Sequence, residues 1–330
     1  MTVGVDGSRA GLDAADWAAR EAERRRLTLR LLHATGEPTA SAPLPGVGHG
    51  PAPAAEAAPA PGSVPRPQAR GARIRPVPEP SAASAREPRR GLLDRAAVHL
   101  SYAHPTLRIA ARRTDTPALP ALLEAATESE TVVLGSRGFS GFTGFLVGSV
   151  ALAVAAGAAC PVVLVRAGDL PRDERVPAGA GDDTAAPART PYLPVVLGLD
   201  VAAPADELIG YAFDAAGVRA APLHVVHTWT LPSLHEDGVG ARAPGDPAAQ
   251  QDARESSLTA VLGPWRHKFP ETEVVEEVVY GHVGHHLLKA STRAGLLVVG
   301  RSAADGGGLG RAAHSLLHRS TCPIAVVPHD

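Results

Sequence analysis

The chain has 330 residues, a formal net charge of −2, 45% apolar residues and 20% charged ones. That length suits two domains of about 100–200 residues each, and the near-zero charge gives no electrostatic footprint for nucleic acid or an anionic membrane. No window nears the ~18 consecutive apolar residues of a membrane-spanning helix.

The opening MTVGVDGSRAG has no charged segment leading into a long apolar stretch, so it does not read as a secretory signal. A cytoplasmic protein is the expectation. Further along, GVD, LTLRLLHA, TLRIAAR, TVVLG and PVVLVR are short apolar runs of the kind that form strands covered on both faces. Between them lie helical patterns, clearest in DAADWAAREAERRR and PALPALLEAATES. Alternation of this kind predicts a parallel sheet with right-handed crossovers and helices on both faces. Residues 36–90 break the pattern with Pro, Ala and no aromatic residue. Such a composition buries too little apolar surface to offset its ordering, so a disordered insertion is expected there.

The chain is written twice. VGVDGSRAGLDAADWAAREA from Val3 matches LGLDVAAPADELIGYAFDAA from Leu197, and LRLLHAT from Leu29 matches LHVVHTW from Leu223. TPALPALLEAATESETVVLGSRG from Thr116 matches GHVGHHLLKASTRAGLLVVGRSA from Gly281, and VGSVALAVAAGAACPVVLVR from Val147 matches LGRAAHSLLHRSTCPIAVVP from Leu309. This organisation predicts domains at 1–166 and 192–330, joined by a polar linker at 167–191. Each would be a doubly wound parallel α/β domain.

Ligands in such sheets bind at strand carboxyl ends where the strand order reverses. Asp6, Ala34 and Gly135 fall at those ends in the first copy, and GSRGFSGFTGFLVGS follows at 135–149. Gly148-Ser149 opens a helix whose amino terminus favours an anion. Ser149 is placed to cap that helix, or to turn its hydroxyl to a phosphate oxygen or a metal ion. Gly135 and Gly138 leave room for a sugar or phosphate against bare backbone. Asp6 is an acceptor for ribose hydroxyls or a base amino group. A P-loop is excluded, since no lysine lies near the segment, and GVDG is no dinucleotide fingerprint. The glycines alone would equally suit a surface loop before a glycine-started helix.

The spacing Gly135-x2-Gly138-x9-Gly148-Ser149, with GVDGS and the strand-final CPVVLVR, resembles the ATP-binding signature of the universal stress protein family. VVGRS and CPIAVVP carry the same resemblance in the second copy. The resemblance implies two tandem five-stranded domains of the adenine-nucleotide alpha-hydrolase-like type, paired as a pseudo-dimer through PVVLVR and PIAVVP. It also implies ATP held by Asp6, Ala34, Gly135, Arg137, Gly138, Gly148 and Ser149, with Mg2+ carried alongside. The second copy keeps Asp200, Gly300 and Gly310 but has Ala303 for Gly138, Arg311 for Ser149, Val201 after its aspartate, and a loop three residues shorter. Weak or absent ATP binding is expected there, although Arg311 could still pair with a phosphate.

A nucleotide-binding regulatory protein is therefore the leading reading. The alternatives are a scaffold acting through another protein without nucleotide, and a slow ATPase. Arg137 is the sole cation in the first glycine segment, and no base accompanies it. His282, His285 and His286 are expected on a solvated helix face, and no metal site is assigned to them. His33 and His227 repeat between the copies and are expected to be structural. Cys160 and Cys322 each precede a proline and an apolar run, and are expected as buried small hydrophobes.

Overall fold

A computed structural model describes residues 1–36, 87–136, 147–169, 171–176, 190–230, 247–302 and 308–330. The first half runs β1 (Thr2–Gly4), α1 (Arg9–Arg25), β2 (Leu29–Gly36), α2 (Glu87–Ala103), β3 (Ile109–Pro117), α3 (Ala118–Thr127), β4 (Val132–Ser136), α4 (Ser149–Gly157) and β5 (Val162–Arg166). The second half repeats it with β6 (Val195–Gly198), α5 (Asp206–Gly217), β7 (Leu223–Trp229), α6 (Pro247–Lys268), β8 (Val274–Tyr280), α7 (Val283–Ser291), β9 (Leu296–Ser302), α8 (Arg311–Arg319) and β10 (Ile324–His329).

The ten strands form one sheet in the order β3-β2-β1-β4-β5-β10-β9-β6-β7-β8. Pairing is parallel within each half and antiparallel where β5 meets β10, with Ala325 opposite Val163. The two copies therefore join through PVVLVR and PIAVVP, as the family resemblance implied. Val162, Val163, Leu164 and Val165 are at most 1% exposed, which is why this seam reads as an unbroken apolar run. One core lies on each face of the sheet, and both pass through the two halves. Trp17, Leu100, Phe213 and Leu258 gather α1, α2, α5 and α6 on one face. On the other, Leu122, Val154, Leu287 and Leu316 gather α3, α4, α7 and α8.

Several boundaries differ from the sequence reading. The first strand ends at Gly4, so Asp6 lies in the turn beyond it. Helix α1 starts at Arg9, ahead of the predicted DAADW, because the Ser8 side chain accepts from the Gly11 N–H and caps it. The last carbonyls of α1 bond to the N–H of Arg26, which takes the left-handed conformation at φ 56°. Both rims of the expected insertion belong to regular elements: Gly36 closes β2, and Glu87 opens α2. The rest of it, 37–86, lies outside the described residues.

Charge is buried where α1 and α5 meet. Arg219 and Glu21 are each 1% exposed at the side chain, and Arg219 forks onto Glu21 at 2.7 and 3.2 Å. Arg24 and Arg25 also donate to Glu21, at 2.9 and 2.6 Å, and Arg25 reaches Asp214 of the other half. Burial alone would raise the Glu21 carboxyl, but Arg219, Arg24 and Arg25 outweigh it and hold it down at about 2. Just before the linker leaves the described residues, buried Glu174 ties down Arg20 and Arg24, at 2.8 and 3.3 Å.

Two arginines also cross the seam in a reciprocal way. Arg166 at the end of β5 donates to the carbonyl of Ser320, the C-cap of α8. Arg301 on β9 donates to the carbonyl of Ala158, the C-cap of α4. Each cation sits at the negative end of a helix from the opposite half.

Cys160 and Cys322 occupy equivalent buried positions before β5 and β10. Burial pushes their thiols up to about 11 and about 12. Thiolate is the reacting species, so thiol titration of the native protein at mildly alkaline pH should show almost no fast-reacting group. Both should react once denaturant is added. Rapid labelling of either in the native state would contradict its burial.

Candidate functional site

The strand order of the first half reverses between β1 and β4, and a cavity of about 270 Å³ opens there at their carboxyl ends. Asp6, Ala34, Gly135, Gly148 and Ser149 all line it, so the structure brings these five expected residues together. Arg137 and Gly138 lie outside the described residues. Ser8, Gly11, Leu122 and Leu134 also line the cavity and were not singled out from sequence. Ser8 and Gly11 carried a signal, a serine three residues ahead of a glycine at a helix start, but it reads as ordinary capping.

Asp6 is fixed by its turn. Its Oδ1 accepts from the Ser8 N–H at 2.9 Å and the Ser8 hydroxyl at 2.6 Å. A side chain on Gly11 would come within 2.6 Å of that oxygen, and Gly7 takes φ +85° to complete the loop. Asp6 is exposed, and with Oδ1 engaged in the turn its remaining acceptor is Oδ2. Behind the turn, buried His33 donates from Nδ1 to the Val5 carbonyl at 2.6 Å, and His227 does the same to Leu199 at 3.0 Å. These repeated histidines hold the chain leaving the first strand of each half.

The glycines differ in purpose from the sequence reading. A Cβ on Gly135 would sit 2.4 Å from the Ala10 carbonyl carbon and oxygen, so its bareness lets α1 cross β4 closely. Among the described residues, a Cβ on Gly148 would meet nothing within 4 Å, and its φ of −64° is open to any residue. Gly148, not Ser149, is the N-cap of α4, and Ser149 is its first helical residue with an exposed side chain. The first helical bond runs from the Leu152 N–H to the Gly148 carbonyl. The N–H groups of Ser149, Val150 and Ala151 are therefore left over at the cavity wall.

The second half has a larger cavity of about 850 Å³ at the corresponding strand ends, lined by Asp200, His227, Trp229, His282, Arg301, Gly310 and His329 among others. Helix α5 starts late, at Asp206, which leaves Ala203 and Pro204 in the wall. Even with Val201 in place of glycine, the Ala202 N–H still reaches Asp200 Oδ1 at 3.0 Å. Arg311, which by its place in the repeat could pair with a phosphate, is exposed and does not line this cavity, whereas Arg301 does. Ala303 lies outside the described residues. His282 is the N-cap of α7 and not a member of its helical face, and His285 stacks edge-on against His286. Among the described residues, no group of three or more His, Cys, Asp or Glu side chains could hold a metal ion, and no helix is long and apolar enough to cross a membrane.

The model of the universal stress protein family matches residues 1–166 and 191–328. The chain belongs to the universal stress protein family. A universal stress protein of Mycobacterium tuberculosis is 27% identical over 333 residues, covering 99% of this chain and 96% of that protein. The crystal structure of a universal stress protein from Archaeoglobus fulgidus covers 100% of this chain and 98% of its own, at 15% identity and a TM-score of 0.61, a likeness of fold. Another structure from Archaeoglobus fulgidus, in complex with dAMP, covers 42% of this chain at a TM-score of 0.29. As a tandem universal stress protein, the chain carries two family segments fused across one sheet.

Proposed function

We propose that this universal stress protein is an ATP-binding regulatory protein of the stress response. ATP is held in the first half, and weakly or not at all in the second. The observation that carries this reading is Gly148. It is a glycine that neither its φ nor packing among the described residues demands, placed where a helix presents free N–H groups to a cavity. Across that cavity Asp6 offers an acceptor for a ribose, and Ala34, Leu122 and Leu134 offer an apolar wall for a base. The cavity volume of about 270 Å³ among the described residues lies just below the ~300–1,000 Å³ of small-molecule sites. Mg2+ fits beside the phosphates, since the exposed Ser149 hydroxyl is an oxygen ligand of the type it prefers. Arg137 and Gly138 belong to the same proposed site by their place in the motif.

Bound ATP would act by favouring one arrangement of the two halves, to the extent that it binds one more tightly. Asp6 is the sole ionisable side chain lining the first cavity among the described residues, so a dedicated catalyst is not the reading it supports.

Nucleotide content tests this. Protein loaded with ATP, desalted and denatured should release about one adenine nucleotide per chain, given a slow off-rate. A Gly148→Val, Ser149→Ala variant should release none while unfolding at the wild-type temperature. Recovery mainly as ADP would favour the slow ATPase. No binding by equilibrium titration would leave the scaffold reading, with the second half or another protein as sole partner.

A further inference from the structure

The second cavity contains a buried cation without an acid. Arg301 is 8% exposed and lines the cavity from β9. Its Nη2 bonds the Ala158 carbonyl, and its Nε has no hydrogen-bond partner among the described residues. The other buried arginine among the described residues, Arg219, forks onto Glu21. No described carboxylate makes an ion pair with Arg301, although Asp200 and Asp330 line the same cavity. The carbonyl end of α4 gives it a partial negative charge, less than a carboxylate would. A guanidinium removed from water normally has a full counter-charge, because desolvation is otherwise uncompensated.

A second feature points the same way. Gly310 caps α8, and the first helical bond there runs from the His314 N–H to the Gly310 carbonyl. The unused N–H groups of this helix start beside Ala312 and Ala313, which line the cavity together with Arg301. In the first half the position equivalent to Arg301 is Ser136, whose hydroxyl bonds the Val165 carbonyl, so this cation is peculiar to the second half.

We propose that the second cavity is an anion site in its own right, where the Arg301 guanidinium and the amino end of α8 hold a phosphoryl dianion, either inorganic phosphate or a small phosphomonoester. An arginine fork occupies both oxygens of a carboxylate. A phosphoryl group has a third oxygen for the helix N–H groups. This goes beyond the ATP reading of the first half and does not depend on it.

The test is an arginine Nε–H NMR titration of the full-length protein, with the Arg301 signal assigned by its absence in Arg301→Lys. Inorganic phosphate and ribose 5-phosphate are the two probes. The expected result is a saturable shift of the Arg301 signal with at least one probe. Tighter binding of ribose 5-phosphate would identify a phosphomonoester site, and equal binding a site for the free anion. Arg301→Gln should weaken binding, read on the α8 backbone amides, by at least about tenfold. Should that variant fail to fold, Ala312→Asp decides the matter: its carboxylate suits a helix start, so the fold persists, but it takes the anion's place and abolishes the titration. The Gly148→Val, Ser149→Ala variant should titrate like wild type, which separates this site from the first. No saturable shift at millimolar concentrations, an equal response to chloride, or unchanged binding in Ala312→Asp would overturn the proposal.

Discussion

Replacing Glu21 by alanine is expected to cost about 3–5 kcal/mol of unfolding free energy, measured by urea denaturation at neutral pH. The substitution leaves Arg219, 1% exposed at its side chain, without a counter-charge between α1 and α5, and removes the acceptor shared with Arg24 and Arg25. A Glu21→Met, Arg219→Met double variant should recover most of the loss, because it removes the two most buried charges together, fills similar volume, and leaves Arg24 on Glu174 and Arg25 on Asp214. The same carboxylate shapes acid stability. Its pKa falls from 4.5 when unfolded to about 2 when folded. Its contribution is therefore complete above pH 4.5 and is lost as pH drops toward 2, on the order of 3 kcal/mol in all. Glu21→Gln should lack that part of the acid transition. An unchanged acid profile in Glu21→Gln would mean that the pair is not closed in solution.

Gly135→Ala and Gly148→Ala should separate two uses of glycine in one motif. At Gly135 the added methyl meets the backbone of Ala10 at 2.4 Å and the Gly11 nitrogen at 2.7 Å, atoms with no rotamer to escape by. Helix α1 has to move off β4, at an expected cost of about 3 kcal/mol, even with no nucleotide present. At Gly148 the methyl meets none of the described residues, and only a cap preference below about 1 kcal/mol is at stake. Thermal unfolding of both proteins without nucleotide checks the contrast. Equal stability would show that α1 does not lie as close to β4 as described.

Much of the fold was legible because its inner strands are covered on both faces and so appear as apolar runs such as VVLVR. The edge strand β3, read from TLRIAAR as covered in the same way, is largely exposed along one stretch. Repetition of the runs exposed the tandem plan, and the family resemblance implied the seam. The start of α2 was not legible, since Glu87–Arg90 sit at the end of a Pro- and Ala-rich stretch whose composition masks it. At the site, Asp6, Ala34, Gly135, Gly148 and Ser149 could be gathered because strand ends converge where the order reverses. What Gly135 is for could not be read, because the reason is a backbone from over a hundred residues away. Arg301 was missed for a related cause. Alignment sets Arg311 opposite Ser149, but the side chain that lines the cavity comes from the neighbouring strand. Likewise, Glu21 and Arg219 look like surface charges until α1 and α5 are packed together.

The antiparallel join of β5 to β10 has a geometric consequence. Carboxyl ends of the first half's strands face one rim of the sheet, and those of the second half face the other. The two cavities therefore open at opposite rims. Helix α4 runs between them, with its first turn in the wall of the first cavity and its far end bonded by the arginine that lines the second. One nine-residue helix is thus tied to the walls of both sites, and the two halves share more than a sheet.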